Sequence, residues 1–274
     1  VRTNVKHKVV LDTCVVRELL PHSEMPSWVE TFILMSKKGY SFSLADGTVL
    51  ELIKQISTCQ IRLEDLPKLF VTLELFLDMA EPVLPGKVDL QGRIGALRKG
   101  HNWTLEESLQ TGLRYWEMLK NPVLEYNITA PQIIDDEIDS YREMFNKTAA
   151  QSLQTDESVL IQAFNVLDRQ CPDLIPPLST RMELQIKYFY NKFKSSSLQQ
   201  KGYNPLSNKN SNDAVDFDLF RYLSLPAFVI TFEKKYLNLS GFIDSIQTRW
   251  LMKPNDLCLR WEKNVEPFPI FSSS

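Results

Sequence analysis

Short apolar runs alternate with longer amphipathic stretches near both ends of this chain, while its middle is amphipathic almost throughout. Lys8-Val9-Val10-Leu11 reads as a buried strand that stops abruptly at Asp12-Thr13. Helical spacing follows Pro26, from about Ser27 to Lys38, and Gly39 stands where a left-handed residue would close that helix. Tyr40 to Leu44 predicts a second strand. Asp46 then stands as the cap of a helix whose apolar positions, Val49, Leu50, Leu52, Ile53 and Ile56, recur with helical period.

From Leu63 to about Leu198 the pattern is mostly helical. Thr104-Leu-Glu-Glu107 is a capping-box start for a helix running to about Leu119. Further helices are expected over 131–146, 156–169 and 182–193. Ser195 to Ser211, rich in Ser, Asn, Gln and Gly, predicts a loop. Residues 213–224 then predict a helix, Ala227 to Thr231 a strand, and 241–250 a last helix before an irregular tail. Strands separated by helices imply an α/β fold with a central parallel sheet flanked by helices, carrying a large, mostly helical insertion. The expected division is a core of residues 1–62 and 208–274, with 63–207 as an insertion or an enlarged helical layer. There is no internal repeat.

Composition changes this picture little. The 274 residues are 43% hydrophobic and 24% charged, enough for a substantial core and too apolar for wholesale disorder. The net charge of −3 excludes no class, because one local basic face suffices to bind nucleic acid. No run of about 18 apolar residues predicts a membrane span. The basic residues 1–8 lead straight into a strand with no signal-peptide pattern. Cys14, Cys59, Cys171 and Cys258 lie far apart, which gives neither a zinc site nor a disulfide framework and favours a reducing compartment. A cytoplasmic location is the expectation, and the sequons at Asn102, Asn127, Asn146 and Asn238 are read as incidental.

The candidate chemistry is acidic. Asp12 stands where a strand ends, and the carboxyl ends of parallel strands form the ligand crevice of open α/β sheets. Glu51 lies in the helix after the second strand, between Leu50 and Leu52. Asp213 opens the Asp213-Ala-Val-Asp216-Phe-Asp218 helix, where Asp213 and Asp216 share a face and Asp218 lies off it. Glu233 follows the later strand by two residues. Each has an ordinary alternative: helix capping for Asp12 and Asp213, a solvated face for Glu51. As a set, they offer the carboxylate oxygens that hard divalent cations need.

Four segments carry a family resemblance. Val9-Val10-Leu11-Asp12-Thr13 resembles the opening strand of PIN-domain nucleases with its first catalytic Asp. Thr48-Val-Leu-Glu51-Leu-Ile resembles their helical Glu motif, Asn212-Asp213-Ala-Val-Asp216 their third acidic motif, and Val229-Ile-Thr231-Phe-Glu233 their closing strand. Residues 7–58 and 208–237 carry the likeness, about a third of the chain. Two departures stand out. Glu233 replaces the usual Asp, and about 160 residues separate Glu51 from Asp213.

The resemblance implies a metal-dependent endoribonuclease, a toxin or a processing enzyme. Asp12, Glu51 and Asp213 would hold Mg2+ or Mn2+, Asp216 or Glu233 would complete the catalytic set, and Thr13 and Thr231 would orient water or substrate. RNA is the expected polymer and DNA the alternative. An inhibitory protein partner and a homodimer also fit the resemblance, as does a PIN-fold RNA-binding or assembly module without catalysis.

A candidate RNA contact precedes Asp213. Arg181, Lys187, Lys192, Lys194, Lys201 and Lys209 interleave with Tyr188, Phe189, Tyr190, Phe193 and Tyr203, and cations with aromatic faces suit single strands. An ordinary amphipathic helix with core aromatics is the competing reading. Arg93, Arg98, Lys99 and His101 form a weaker basic cluster. The three histidines have no metal-ligand spacing, no phosphate-cradling glycine loop is present, and the second Asp of haloacid-dehalogenase-type phosphatases is missing after Asp12.

Overall fold

The computed structural model describes residues 7–20, 24–86, 90, 93–94, 104–121, 143, 157–198, 218–264 and 269–271. Five parallel strands form its sheet in the order β3-β2-β1-β4-β5. They are β1 (His7–Leu11), β2 (Tyr40–Ala45), β3 (Val83–Leu84), β4 (Phe228–Ile230) and β5 (Leu251–Met252). All six residues of β2 are buried, as are Val9, Val10 and Leu11 of β1 and all of β4. A parallel sheet covered on both faces buries its strands throughout, and the two serines of β2 are satisfied there, Ser41 by the Asp78 carboxylate and Ser43 by the Glu81 carbonyl.

The helices between them follow the sequence pattern closely at first. After β1 comes α1 (Thr13–Arg17), then α2 (Trp28–Ser36), and after β2 comes α3 (Asp46–Ser57). Gly39 takes φ +95, the left-handed conformation expected before β2. In α3 the buried face is Val49, Leu52, Ile53 and Ile56, joined by Thr48 and Gln55. Trp28 and Phe32 of α2 pack on Phe76, and Phe32 also meets Phe42 of β2 with ring centroids 4.6 Å apart. This aromatic layer seats α2 on the sheet.

The segment 63–207 supplies more than a separate helical body. Its α4 (Leu66–Glu74) is followed by β3, which pairs with β2, and by α5 (Leu105–Lys120) with the expected capping box at Thr104 and Glu107. Leu69, Leu73, Trp116, Leu119 and Leu184 share one hydrophobic cluster with the strands on either side of them in sequence. At Gly112 of α5 a Cβ would lie 2.3 Å from the Val83 carbonyl oxygen, so the missing side chain lets the helix approach β3. Beyond it lie α6 (Glu157–Gln170), α7 (Leu178–Arg181) and α8 (Glu183–Leu198). Apart from Glu143, the helix expected over 131–146 lies outside the described residues.

Three expectations need correction. Residues 195–198 continue α8 instead of opening a loop. In place of one helix over 241–250, short 3-10 helices span Leu239–Gly241 and Ile246–Trp250. The tail opens on regular structure, because β5 and α10 (Pro254–Glu262) follow, with α9 (Lys234–Leu237) after β4. Pro254 occupies the first turn of α10, where its missing N–H is harmless, and Leu257 and Cys258 of that helix are buried. No helix of the described residues is long and apolar enough to cross a membrane.

Candidate functional site

β1 delivers Asp12 to the carboxyl rim of the sheet. Its backbone is extended, and its Oδ1 accepts from the Thr13 amide at 2.7 Å, which caps α1. The capping role and the rim position therefore coexist in one residue. Its Oδ2 accepts from the Thr231 hydroxyl at 2.6 Å and from the Cys14 thiol at 3.1 Å. Thr231 follows β4 and is fully buried. Cys14 is held in turn by the Phe232 amide at 3.1 Å. Burial, and then the neighbouring Asp12 carboxylate, push the Cys14 thiol up to about 12, so it stays protonated and donates.

Glu51 reaches the same rim by a different route. Thr48, in the first turn of α3, donates its hydroxyl to the Leu11 carbonyl at 3.0 Å and pins the helix to the end of β1. Glu51, three residues on, lies on the same helical face. The Thr13 hydroxyl donates to its Oε2 at 2.6 Å, and the Gln55 amide donates to its Oε1 at 3.3 Å. Thr13 thus bridges the two carboxylates: its amide serves Asp12 and its hydroxyl serves Glu51.

Asp12, Thr13, Asp46, Thr48, Glu51, Asp218 and Tyr222 line one small cleft of about 20 Å³. A volume of this size holds about one water-sized sphere. Asp218, the off-face member of its segment, is therefore at the cleft, where it pairs with Arg221 at 2.8 Å. Asp213 and Asp216 lie outside the described residues. Glu233 is exposed, does not line the cleft, and meets Thr231 through its backbone amide at 3.0 Å.

Asp46 is the residue that sequence reasoning misplaced. It is the first residue of α3, with Ala45 in the cap position. Its carboxylate accepts from the Gly47 amide at 2.7 Å, the Gly86 amide at 2.8 Å and the Tyr222 hydroxyl at 2.7 Å. Burial raises this carboxyl above its ordinary value, against the opposing pull of those three donors and of the Arg221 charge. Burial, followed by the Asp46 charge, keeps the Tyr222 phenol well above its ordinary value and hence protonated. Pro85-Gly86 marks a turn in the sequence, but nothing there says what the turn closes around.

The carboxylate oxygens of Asp12 and Glu51 are the donor type that hard divalent cations prefer. Among the described residues, no three His, Cys, Asp or Glu side chains gather closely enough to hold one ion.

The expected RNA contacts divide. Arg181 turns inward: its guanidinium donates to the carbonyls of Ile175, Pro176 and Ser224 at 3.0 to 3.2 Å and stacks on Phe271. Lys187 bonds to Glu183 at 2.7 Å and to the Asp244 carbonyl at 2.6 Å. Lys192 and Lys194 lie over the rings of Tyr188 and Tyr190, at 5.7 and 5.5 Å. Tyr188 packs against Phe220 and Tyr236 and so belongs to the core side of α8. In the second basic cluster, Arg93 pairs internally with Glu81 and Ser108. Lys201, Lys209, Arg98, Lys99 and His101 lie outside the described residues.

The fold and rim together define an α/β protein with an acidic cleft at the carboxyl ends of a parallel sheet. Comparison of the chain with protein-family models, with curated proteins and with solved structures gives no match.

Proposed function

We propose that this chain is a metal-dependent nuclease that hydrolyses RNA phosphodiesters at the Asp12–Glu51 cleft. The observation that carries the reading is the convergence of these two carboxylates through Thr13. They lie 39 positions apart, yet the Thr13 amide and hydroxyl hold them at 2.7 and 2.6 Å on the rim where parallel sheets bind ligands. The parallel sheet is compatible with a PIN-type core and is not specific to it.

Asp12 and Glu51, with Asp213 as a third acid, would hold Mg2+ or Mn2+. Such ions would supply activation of water and charge stabilisation at the departing oxygen. The chain's own contribution is orientation. Thr231 and Cys14 fix Asp12, Gln55 and Thr13 fix Glu51, and packing of α3 on β1 through Thr48 keeps the two in register. Asp216 and Glu233 remain candidates for completing the set. Lys192 and Lys194, stacked on tyrosines, are the cations of α8 best suited to a single strand, and a homodimer or an inhibitory partner would act around this core.

The test is cleavage of labelled single-stranded RNA with Mn2+ or Mg2+, comparing wild type with Asp12→Asn and Glu51→Gln. Metal-dependent cleavage that drops at least about a hundredfold in both variants supports the proposal. RNA binding without cleavage across RNA and DNA substrates would instead make the chain a binding module, and preferential cleavage of DNA would change the polymer.

A further inference from the structure

Asp46 has no place in the acid set that the sequence suggests, yet it is held at the cleft from its own helix and from two other segments of the chain. The grip comes from the Gly47 amide in α3, the Gly86 amide after β3 and the Tyr222 hydroxyl in the 3-10 helix Phe220–Ser224. A Cβ at residue 86 would lie 2.4 Å from Asp46 Oδ2, so glycine is what lets that amide come so close. The Tyr222 oxygen also receives the Asp46 amide at 3.0 Å and lies 2.8 Å from the Leu84 carbonyl. One phenol therefore ties the ends of β2 and β3 to the segment that carries Asp218, four residues earlier.

Resting on the metal-dependent reading above, we infer that Asp46 is a positioning residue of the cleft. Through Tyr222 and Gly86 it locks the 218–222 segment over the carboxyl ends of β2 and β3, so that Asp218 faces Asp12 and Glu51 across the site. The cleft is lined from three directions only while this lock is closed.

Tyr222→Phe removes a single oxygen and keeps the buried ring; Gly86→Ala pushes on the same carboxylate from the other side. Mn2+ uptake is followed by the loss of the free-ion electron paramagnetic resonance signal, and cleavage is measured against Mn2+ concentration, with Asp12→Asn as the site control. Folding is verified by cooperative thermal melting. The expected result is Mn2+ affinity weakened about tenfold in both variants, as for other residues that orient ligands. The rate at saturating Mn2+ should stay within about threefold of wild type. Wild-type Mn2+ affinity in a cooperatively melting Tyr222→Phe protein overturns the inference even if Gly86→Ala fails to fold. A wild-type protein that takes up no Mn2+ overturns the metal-dependent reading itself, and the inference falls with it.

Discussion

The Thr231 hydroxyl donates to Asp12 Oδ2 at 2.6 Å, joining two residues 219 positions apart across the rim of the sheet. The bond lies where the chain changes direction. From β1 the chain adds β2 and β3 on one side, then returns to add β4 and β5 on the other. Connections therefore diverge between β1 and β4, which is where α/β sheets open a crevice for ligands. The backbone continues the same join, since the Asp12 amide donates to the Ile230 carbonyl at 3.0 Å.

Thr231→Val keeps the shape and removes the donor. The stability loss should be about 1 kcal/mol, read from urea unfolding. On the proposed nuclease reading, metal-dependent cleavage should also fall by about tenfold as Asp12 loses its shortest side-chain hydrogen bond. An unchanged kcat/KM would show that the Cys14 thiol and the Thr13 amide orient Asp12 without help.

Asp46 links the cleft to pH. Its folded-state pKa is raised above the ordinary carboxylate value, chiefly by burial. The folded protein therefore holds this proton more tightly than the unfolded chain. Stability contributed at low pH declines as pH climbs from the unfolded value of 3.8 through the raised folded value, then levels off. Asp46→Asn cannot ionise, so the stability difference between wild type and variant should shift in the variant's favour over that window. Urea midpoints from pH 3.5 upward measure it. A difference independent of pH would mean that Asp46 ionises normally in the folded state.

A buried charge network at the strand starts, at the end of the sheet opposite the cleft, should be costly to break. Glu81, 5% exposed, receives both Lys8 and Arg93, while Lys8 also donates to Ser41 at 3.0 Å. Glu81→Gln leaves two enclosed cations facing a neutral amide. The expected loss is about 3 kcal/mol, reduced somewhat by the partial exposure of Lys8. A loss below about 1 kcal/mol, measured by denaturant unfolding, would mean that water already reaches the network.

Thiol chemistry offers a check on the environment of Asp12. Cys59 is exposed, whereas Cys14 and Cys258 are pushed up to about 12 and about 11. In the folded protein at pH 8 a disulfide reagent should modify Cys59 first and Cys14 far more slowly. Asp12→Asn removes a negative charge beside Cys14 and should accelerate its modification. Wild-type labelling of Cys14 as fast as Cys59 would contradict the enclosed, protonated thiol.

Much of the fold is legible in local pattern. β1 ends at Asp12, α2 closes before Gly39, α3 shows its apolar face, and Thr104 with Glu107 caps α5, because each signal lies within a few residues. The strands β3 and β5 escaped because two residues carry no periodicity, and they exist only by pairing with β2 and β4. For the same reason the segment 63–207 reads as helical although it contributes a strand to the sheet. Charge was ambiguous too. Arg181 and Arg93 are basic residues that turn inward, and a sequence does not mark whether a cation meets solvent or a carbonyl.

What the sequence determined by itself is therefore the longer elements, β1, β2, β4, α2, α3 and α5, and the candidate acids Asp12 and Glu51, since strand ends and helix faces follow from short-range sterics and apolar period. The tertiary structure alone decided that Thr13 joins those two acids, that Thr231 reaches Asp12, and that Asp46 is clasped by Gly86 and Tyr222. Those bonds span from 38 to 219 positions of chain. Only the pairing order of the sheet, set by the burial of whole strands, brings such distant groups within hydrogen-bond range.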